Sequence, residues 1–140
     1  MERWVVYAFA SMLFAGVTAV IAKQGLTGIS DELGLAVRTC FVFVFVLAFA
    51  ALAVPRAEIG SLTRTSLAWL ALSAATTAIS WVFYYKALKF GEVSTVALID
   101  KGSFLVAVLL AALCLGEKLT LRTVGASLLI LAGILVAARR

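Results

Sequence analysis

Histidine is absent from this 140-residue chain. Its absence removes the commonest general base and metal ligand. Charge is scarce too: 14% of the residues are Asp, Glu, Lys or Arg, against roughly 25% in an average soluble domain. That leaves too little polar surface to coat a water-soluble globule. Proline occurs once, at Pro55, where it stops a helix. The two cysteines, Cys40 and Cys114, both fall inside apolar runs. They read as small core residues rather than as a disulfide or metal pair. No nucleophile–base–orienter set, metal cluster or phosphate-binding glycine loop stands out. An enzyme is therefore not expected, nor a metal or cofactor.

What is present is apolar. Hydrophobic residues make up 64% of the chain. A spanning helix needs about 20 apolar residues, and five such stretches occur, joined by short connections. They cover residues 4–22, 32–54, 65–90, 92–115 and 120–138. Continuous runs favour helices over barrel strands, which alternate over about 10 residues. The expected fold is an all-α membrane protein, one domain over residues 1–140, multi-pass in the cell (inner or plasma) membrane. Met1-Glu2-Arg3 followed by an apolar run to Ala22 superficially resembles a signal peptide. No polar cleavage region follows, so the run reads as a first membrane helix.

Local signals set the helix ends. Asp31 and Glu32 after Ser30 favour the start of span 2. Gly91 is the expected C-terminal cap of span 3. Gly116-Glu117-Lys118 forms the turn into span 5. The net charge of +5 sits mainly at helix ends, where it can meet anionic head groups. No basic cluster stands apart from the spans, so the partner is a lipid bilayer and not nucleic acid.

The basic residues divide evenly. With the N-terminus on side one, that side carries Arg3, Arg56, Arg64, Lys118 and Arg122. Side two carries Lys23, Lys86, Lys89, Arg139 and Arg140. Five against five gives no orientational bias. A unit without bias can insert both ways, and two opposed copies form the inverted pair from which many transporters are built. A tandem duplication of five helices turns its second copy upside down. A homodimer of one five-helix unit needs dual insertion to reach the same geometry.

Asp100 and Lys101 lie just before the middle of span 4. A charge there costs roughly 2.5–3.5 kcal/mol on insertion scales, so it faces a cavity or a partner. Asp100 shares a face with Ser103, Ala107 and Ala111, a polar-then-small stripe suited to close helix approach or a cavity wall. Gly102 allows the helix to bend or unwind. On the functional reading, Asp100 binds a proton or cationic group and Lys101 an anionic one. The alternative is a structural ion pair with Arg38 of span 2. Arg38 itself can snorkel, pair with Asp100 or meet a substrate, and Gly34 leaves room for its stem. In span 3, Thr77, Trp81 and Tyr84 share a face that can line a solute route. The competing reading is an aromatic belt with hydroxyls bonding helix to helix. Trp4, Tyr7 and Trp69 read as belt residues. Gly125 and Gly133 make span 5 the candidate self-association face.

The stretch Phe83-Tyr84-Tyr85-Lys86-Ala87-Leu88-Lys89-Phe90-Gly91 resembles the end of the third helix in EamA-type proteins of the drug/metabolite transporter superfamily. Leu115-Gly116-Glu117-Lys118-Leu119-Thr120, with Gly125 and Gly133 after it, is similar to the family's fourth-to-fifth helix hairpin. Lys23 after span 1 also fits. The resemblance covers essentially the whole chain as one EamA-like repeat. Most such proteins carry two repeats in ten helices and move small metabolites, often amino acids, outward. A single repeat therefore implies an antiparallel homodimer. The family often has a proline in its fourth helix near where Lys101-Gly102 stand here. The small multidrug pumps share the superfamily and use dual-topology dimers, but their acid lies in the first helix. Span 1 here has none within the bilayer, so that analogy stops at architecture.

The expectation is thus an alternating-access exporter of a small polar or amphiphilic, amino-acid-like metabolite. Asp100 would be its coupling or recognition acid, Lys101 and Arg38 the electrostatic partners. The other class is a non-transporting membrane subunit that scaffolds or completes a heteromeric transporter.

Overall fold

The computed structural model describes residues 3–138. Met1, Glu2, Arg139 and Arg140 lie outside the described residues, so the two arginines enter the charge balance on sequence alone. The described residues form helices and no strand: α1 (Arg3–Gly25), α2 (Asp31–Ala53), α3 (Arg56–Ile59), α4 (Arg64–Phe90), α5 (Val93–Asp100), α6 (Ser103–Cys114) and α7 (Leu121–Ala138). Five stretches are long and apolar enough to cross a membrane: α1, α2, α4, α5 with α6, and α7. At 1.5 Å of rise per residue, the 23 residues of α1 or α2 exceed a hydrocarbon core about 30 Å thick.

Local chemistry sets the boundaries. Ser30 caps α2: its hydroxyl accepts the Leu33 N–H at 3.2 Å, with Asp31 and Glu32 in the first turn. Thr63 and Thr120 do the same for α4 and α7, accepting the N–H groups of Ser66 and Thr123 at 3.1 Å each. Pro55 ends the α2 segment and opens the four-residue α3. Gly28 and Gly116 hold φ of +79° and +68°, a region that side-chain-bearing residues rarely enter. At Gly116 this turns the chain so that Glu117 N–H reaches the Ala111 carbonyl at 3.2 Å. Gly91 does not take that conformation; its carbonyl is bound instead by Lys23.

The fourth span is two helices, not one. Lys101 (φ −64°, ψ −12°) and Gly102 (φ −60°, ψ −23°) join α5 to α6. Here the backbone bonds tighten to the i→i−3 pattern: Gly102 N–H to Ile99 O at 2.8 Å, Phe104 to Lys101 at 3.1 Å and Leu105 to Gly102 at 3.0 Å. Lys101-Gly102 thus form a short 3₁₀-like turn between the two helices.

The chain divides into two compact units, Met1–Gln24 with Phe90–Arg140, and Gly25–Lys89. In the first, α7 packs on α5 and α6. The second holds the turn after Gly25 together with α2, α3 and most of α4. The only buried hydrophobic residues among those described are Ala19, Leu26, Tyr85 and Leu88, and no polar residue is buried. The remaining Leu, Val, Ile and Phe side chains lie half-buried or exposed on the helices, an exterior that suits hydrocarbon and not water. Cys40 and Cys114 are free and exposed, so neither is the core residue expected. Each sits on an outward helix face.

Candidate functional site

In the second unit, Arg38 lies two turns into α2. Its guanidinium carbon stands 4.4 Å from the centre of the Trp81 ring and 5.8 Å from that of Tyr85. Trp81 and Tyr85 are four residues apart on α4, so one helix face presents both rings to one cation. Tyr85 is buried at 4% exposure, and its ring meets Tyr84 edge-on at 6.4 Å. The sequence singled out Tyr84; the residue that closes on Arg38 is Tyr85. The i, i+4 spacing from Trp81 was the available signal.

A cation over aromatic faces gains about 0.5–2 kcal/mol, most when desolvated. That does not supply a hydrogen bond. Nη1 of Arg38 is buried and has no acceptor, a deficit of about 1–3 kcal/mol or more for a charged group. Snorkelling would carry that nitrogen to water or head groups, and its burial argues against this. The acids of this unit are Asp31 and Glu32, in the first turn of α2, and Glu58 in α3. Glu32 stands 4.0 Å from Lys86 in an exposed pair. No carboxylate pairs with Arg38 among the described residues.

Next to this cluster, α2 and α4 enclose a groove of about 470 Å³ whose walls include Leu35, Thr39, Ser73, Thr77 and Trp81. Its size falls within the range of small-molecule sites. Thr39 and Thr77 donate to the carbonyls of Leu35 and Ser73, both at 2.8 Å. Thr76 likewise donates to Ser73 at 2.9 Å. These bonds run back within each helix, not from helix to helix. The hydroxyl oxygens keep lone pairs for an outside donor.

Gly34 does not serve Arg38. A Cβ there would overlap the Leu26 side chain and approach Ile29 Cδ1 at 3.5 Å. The space it leaves admits the 26–29 turn, which is anchored by Lys89. The Lys89 ammonium donates to the Leu26 carbonyl at 3.1 Å and also to that of Ile29.

The first unit holds Asp100 and Lys101 at the break in the fourth span. Asp100 is half-buried and Lys101 exposed. Neither forms an ion pair among the described residues. Gly102 N–H bonds Ile99 O and Phe104 N–H bonds Lys101 O, which leaves the carbonyls of Leu98 and Asp100 outside the i→i−4 ladder. A Cβ on Gly102 would stand 2.9 Å from Ile99 O, too close for the turn as it is, and 3.4 Å from Ile134 Cδ1 of α7, an ordinary contact, so glycine is what lets the chain make this tight turn. Ser103 opens α6 on its exposed side. Ala107 and Ala111 line a groove of about 230 Å³ beneath residues Glu117–Leu119. Gly125 and Gly133 face open space: a Cβ on either meets nothing within 4 Å. Arg38 and Asp100 belong to different units, and the companions that Arg38 shows are aromatic.

The second lysine tie is also in the first unit. Lys23 donates to Gly91 O at 3.0 Å. Lys23 and Lys89 entered the sequence reading as side-two charges and family positions; their role as carbonyl anchors was not read, because it depends on contacts 60 to 68 residues apart.

The EamA-like transporter family model matches residues 2–139. A Sinorhizobium sp protein with the name "Uncharacterized transporter in cobO 3'region" is 33% identical over 120 residues, which is 86% of this chain and 85% of that relative. No solved structure matches the chain. A match of nearly full length, over five apolar helices ending in the Gly116 hairpin, makes this chain a member of the EamA-like transporter family and a multi-pass membrane transporter.

Proposed function

We propose that the chain exports a small polar or amphiphilic, amino-acid-like metabolite by alternating access, as an antiparallel dual-topology homodimer in the cell (inner or plasma) membrane. The observation that carries this reading is the break at Asp100-Lys101-Gly102. Irregular backbone at membrane depth is tolerated where it is buried in protein or lines a water-filled cavity. Broken helices with freed carbonyls mark the binding sites of many transporters. Asp100 is the coupling or recognition acid and Lys101 its cationic neighbour, with Ser103 beside them. Arg38, Trp81, Thr77 and Tyr84 form the second group of solute contacts.

The homodimer rests on two further supports. The family match runs over five apolar helices, an odd number whose opposed pairing needs a second copy, and the basic residues divide evenly between the two sides. The open faces at Gly125 and Gly133 suit close approach of a second helix.

The test is a pair of reporters fused after Arg140, one active only in the cytoplasm and one only outside it, normalised to expression. Comparable activity from both supports dual insertion. Activity on one side alone removes the antiparallel homodimer and leaves the partner-subunit reading. Efflux of preloaded amino acids from vesicles holding the purified protein tests transport directly.

A further inference from the structure

We infer that Arg38 is the receptor for an oxyanion, the carboxylate or phosphate head of an amphiphilic ligand whose apolar body lies along the α2–α4 groove. The inference rests on the transporter reading above and assigns its anionic contact to Arg38 rather than to Lys101.

Three observations on the second unit converge. The guanidinium is held in place: Trp81 lies 4.4 Å from it and Tyr85 5.8 Å. It is uncompensated, with Nη1 buried and without an acceptor and no carboxylate paired to it among the described residues. And it borders the groove through one shared wall: Trp81, the ring it packs on, lines the groove with Thr39 and Thr77, while Arg38 itself is outside the lining.

Each observation narrows the ligand. A fixed cation inside an apolar span needs a counter-charge. The aromatic rings supply attraction, and the one oxygen they carry, the Tyr85 hydroxyl, does not bond Nη1, so the group that completes the site must bring an acceptor. A planar fork of N–H donors matches carboxylate and phosphate oxygens, where an ammonium offers only a point charge. The groove walls are apolar apart from the Thr39, Thr77 and Ser73 oxygens, so the body attached to that oxyanion is mainly hydrocarbon. A free inorganic anion leaves the groove unused. Two sources carry this chemistry, a soluble amphiphilic carboxylate and the phosphate of an anionic lipid.

The experiment uses the full chain in phosphatidylcholine nanodiscs, with Trp4→Phe and Trp69→Phe so that Trp81 alone reports. N-acetyl-L-leucine, an anion at neutral pH, is titrated beside N-acetyl-L-leucinamide, its neutral counterpart. The expected result is a saturable change in Trp81 emission with the carboxylate only, with a midpoint raised about tenfold or more by Arg38→Lys, which keeps charge and stem but loses the fork. Repeating the titration with phosphatidylglycerol separates the sources. If a lipid phosphate is the ligand, that lipid alone shifts the emission in the Arg38 protein and not in Arg38→Lys, and the carboxylate adds nothing. Equal responses to the acid and the amide, or an Arg38→Lys protein indistinguishable from the parent in both lipids, would overturn the inference and leave Arg38 as a helix-to-helix staple. Vesicle efflux keeps the two readings apart. Efflux without Trp81 binding removes the Arg38 site and retains the transporter reading. Saturable binding without efflux of any amino acid does the reverse.

Discussion

Lys23 and Gly91 are 68 residues apart, yet the lysine ammonium donates to the glycine carbonyl at 3.0 Å. The bond ties the end of α1 to the turn that opens α5, within one unit. A charged donor on a carbonyl contributes about 1.5–3 kcal/mol. Lys23→Met keeps the aliphatic stem and loses the donor. It is expected to lower stability by about that amount, read as an earlier midpoint in a sodium dodecyl sulfate unfolding titration. A midpoint within error of the parent would remove the tie from the account.

Lys89 and Lys86 make a controlled comparison three residues apart. Lys89 is half-buried and holds two carbonyls of the 26–29 turn. Lys86 pairs with Glu32 at 4.0 Å, with side chains 51% and 68% exposed. Exposed pairs of this kind contribute about 0–1 kcal/mol. Lys89→Leu is expected to destabilise the protein by several times more than Lys86→Leu under the same titration. The reverse ranking would contradict the assignment.

Gly34 and Leu26 are coupled by volume. Gly34→Ala places a methyl group on the Leu26 side chain, an overpacking of about 1–3 kcal/mol. Leu26→Ala, at a site 3% exposed, loses about 2–5 kcal/mol by itself. The double variant is expected to lose less than the sum of the two, because the alanine at 26 vacates the space that the new methyl takes. Strict additivity in the double-mutant cycle would show the two residues independent.

Gly102→Ala is the sharpest test of the broken span. The new Cβ meets Ile99 O at 2.9 Å, so the turn must shift. Gly125→Ala and Gly133→Ala meet nothing within 4 Å and leave the protomer unchanged. The first is expected to cut vesicle efflux at least tenfold. The other two are to be read for their effect on dimerisation in mild detergent. Full efflux by Gly102→Ala would detach the break from transport.

Asp100→Asn removes the one acid that lies away from the ends of the spans while keeping its size. Proton-driven efflux is expected to disappear. Efflux that still follows an imposed pH gradient would sink the coupling role.

The sequence disclosed what is local and left out what depends on how helices turn against one another. Five spans, the Ser30 cap and the Gly116 turn are all legible, because hydropathy, a capping hydroxyl and a left-handed glycine act within a few residues. The weak point of span 4 was visible in Asp100-Lys101-Gly102, although its form, a tightened turn under Ile134, was not. For the site, Arg38 and Trp81 were both singled out, but not their contact. Adjacent helical residues differ in direction by about 100°, so whether Tyr84 or Tyr85 meets Arg38 is set by the rotation of α4 against α2. The same rotation gives the space beside Gly34 to Leu26 rather than to the arginine stem.

The divided fourth span also bears on how the chain enters its membrane. α5 has 8 residues and α6 has 12, and a crossing helix needs about 20. Neither half can be inserted alone, so residues 93–114 must be accepted as one segment. Its two central charges oppose entry by about 5–7 kcal/mol together, and its eleven Val, Leu, Ile and Phe residues favour entry by about 3–7 kcal/mol. The sum lies near zero. Such a segment partitions poorly by itself and is carried in by a strongly apolar neighbour, for which α7 is next in line through the Gly116 turn. On this bookkeeping the fourth span depends on α7 for its entry, and the two are best regarded as one inserting hairpin.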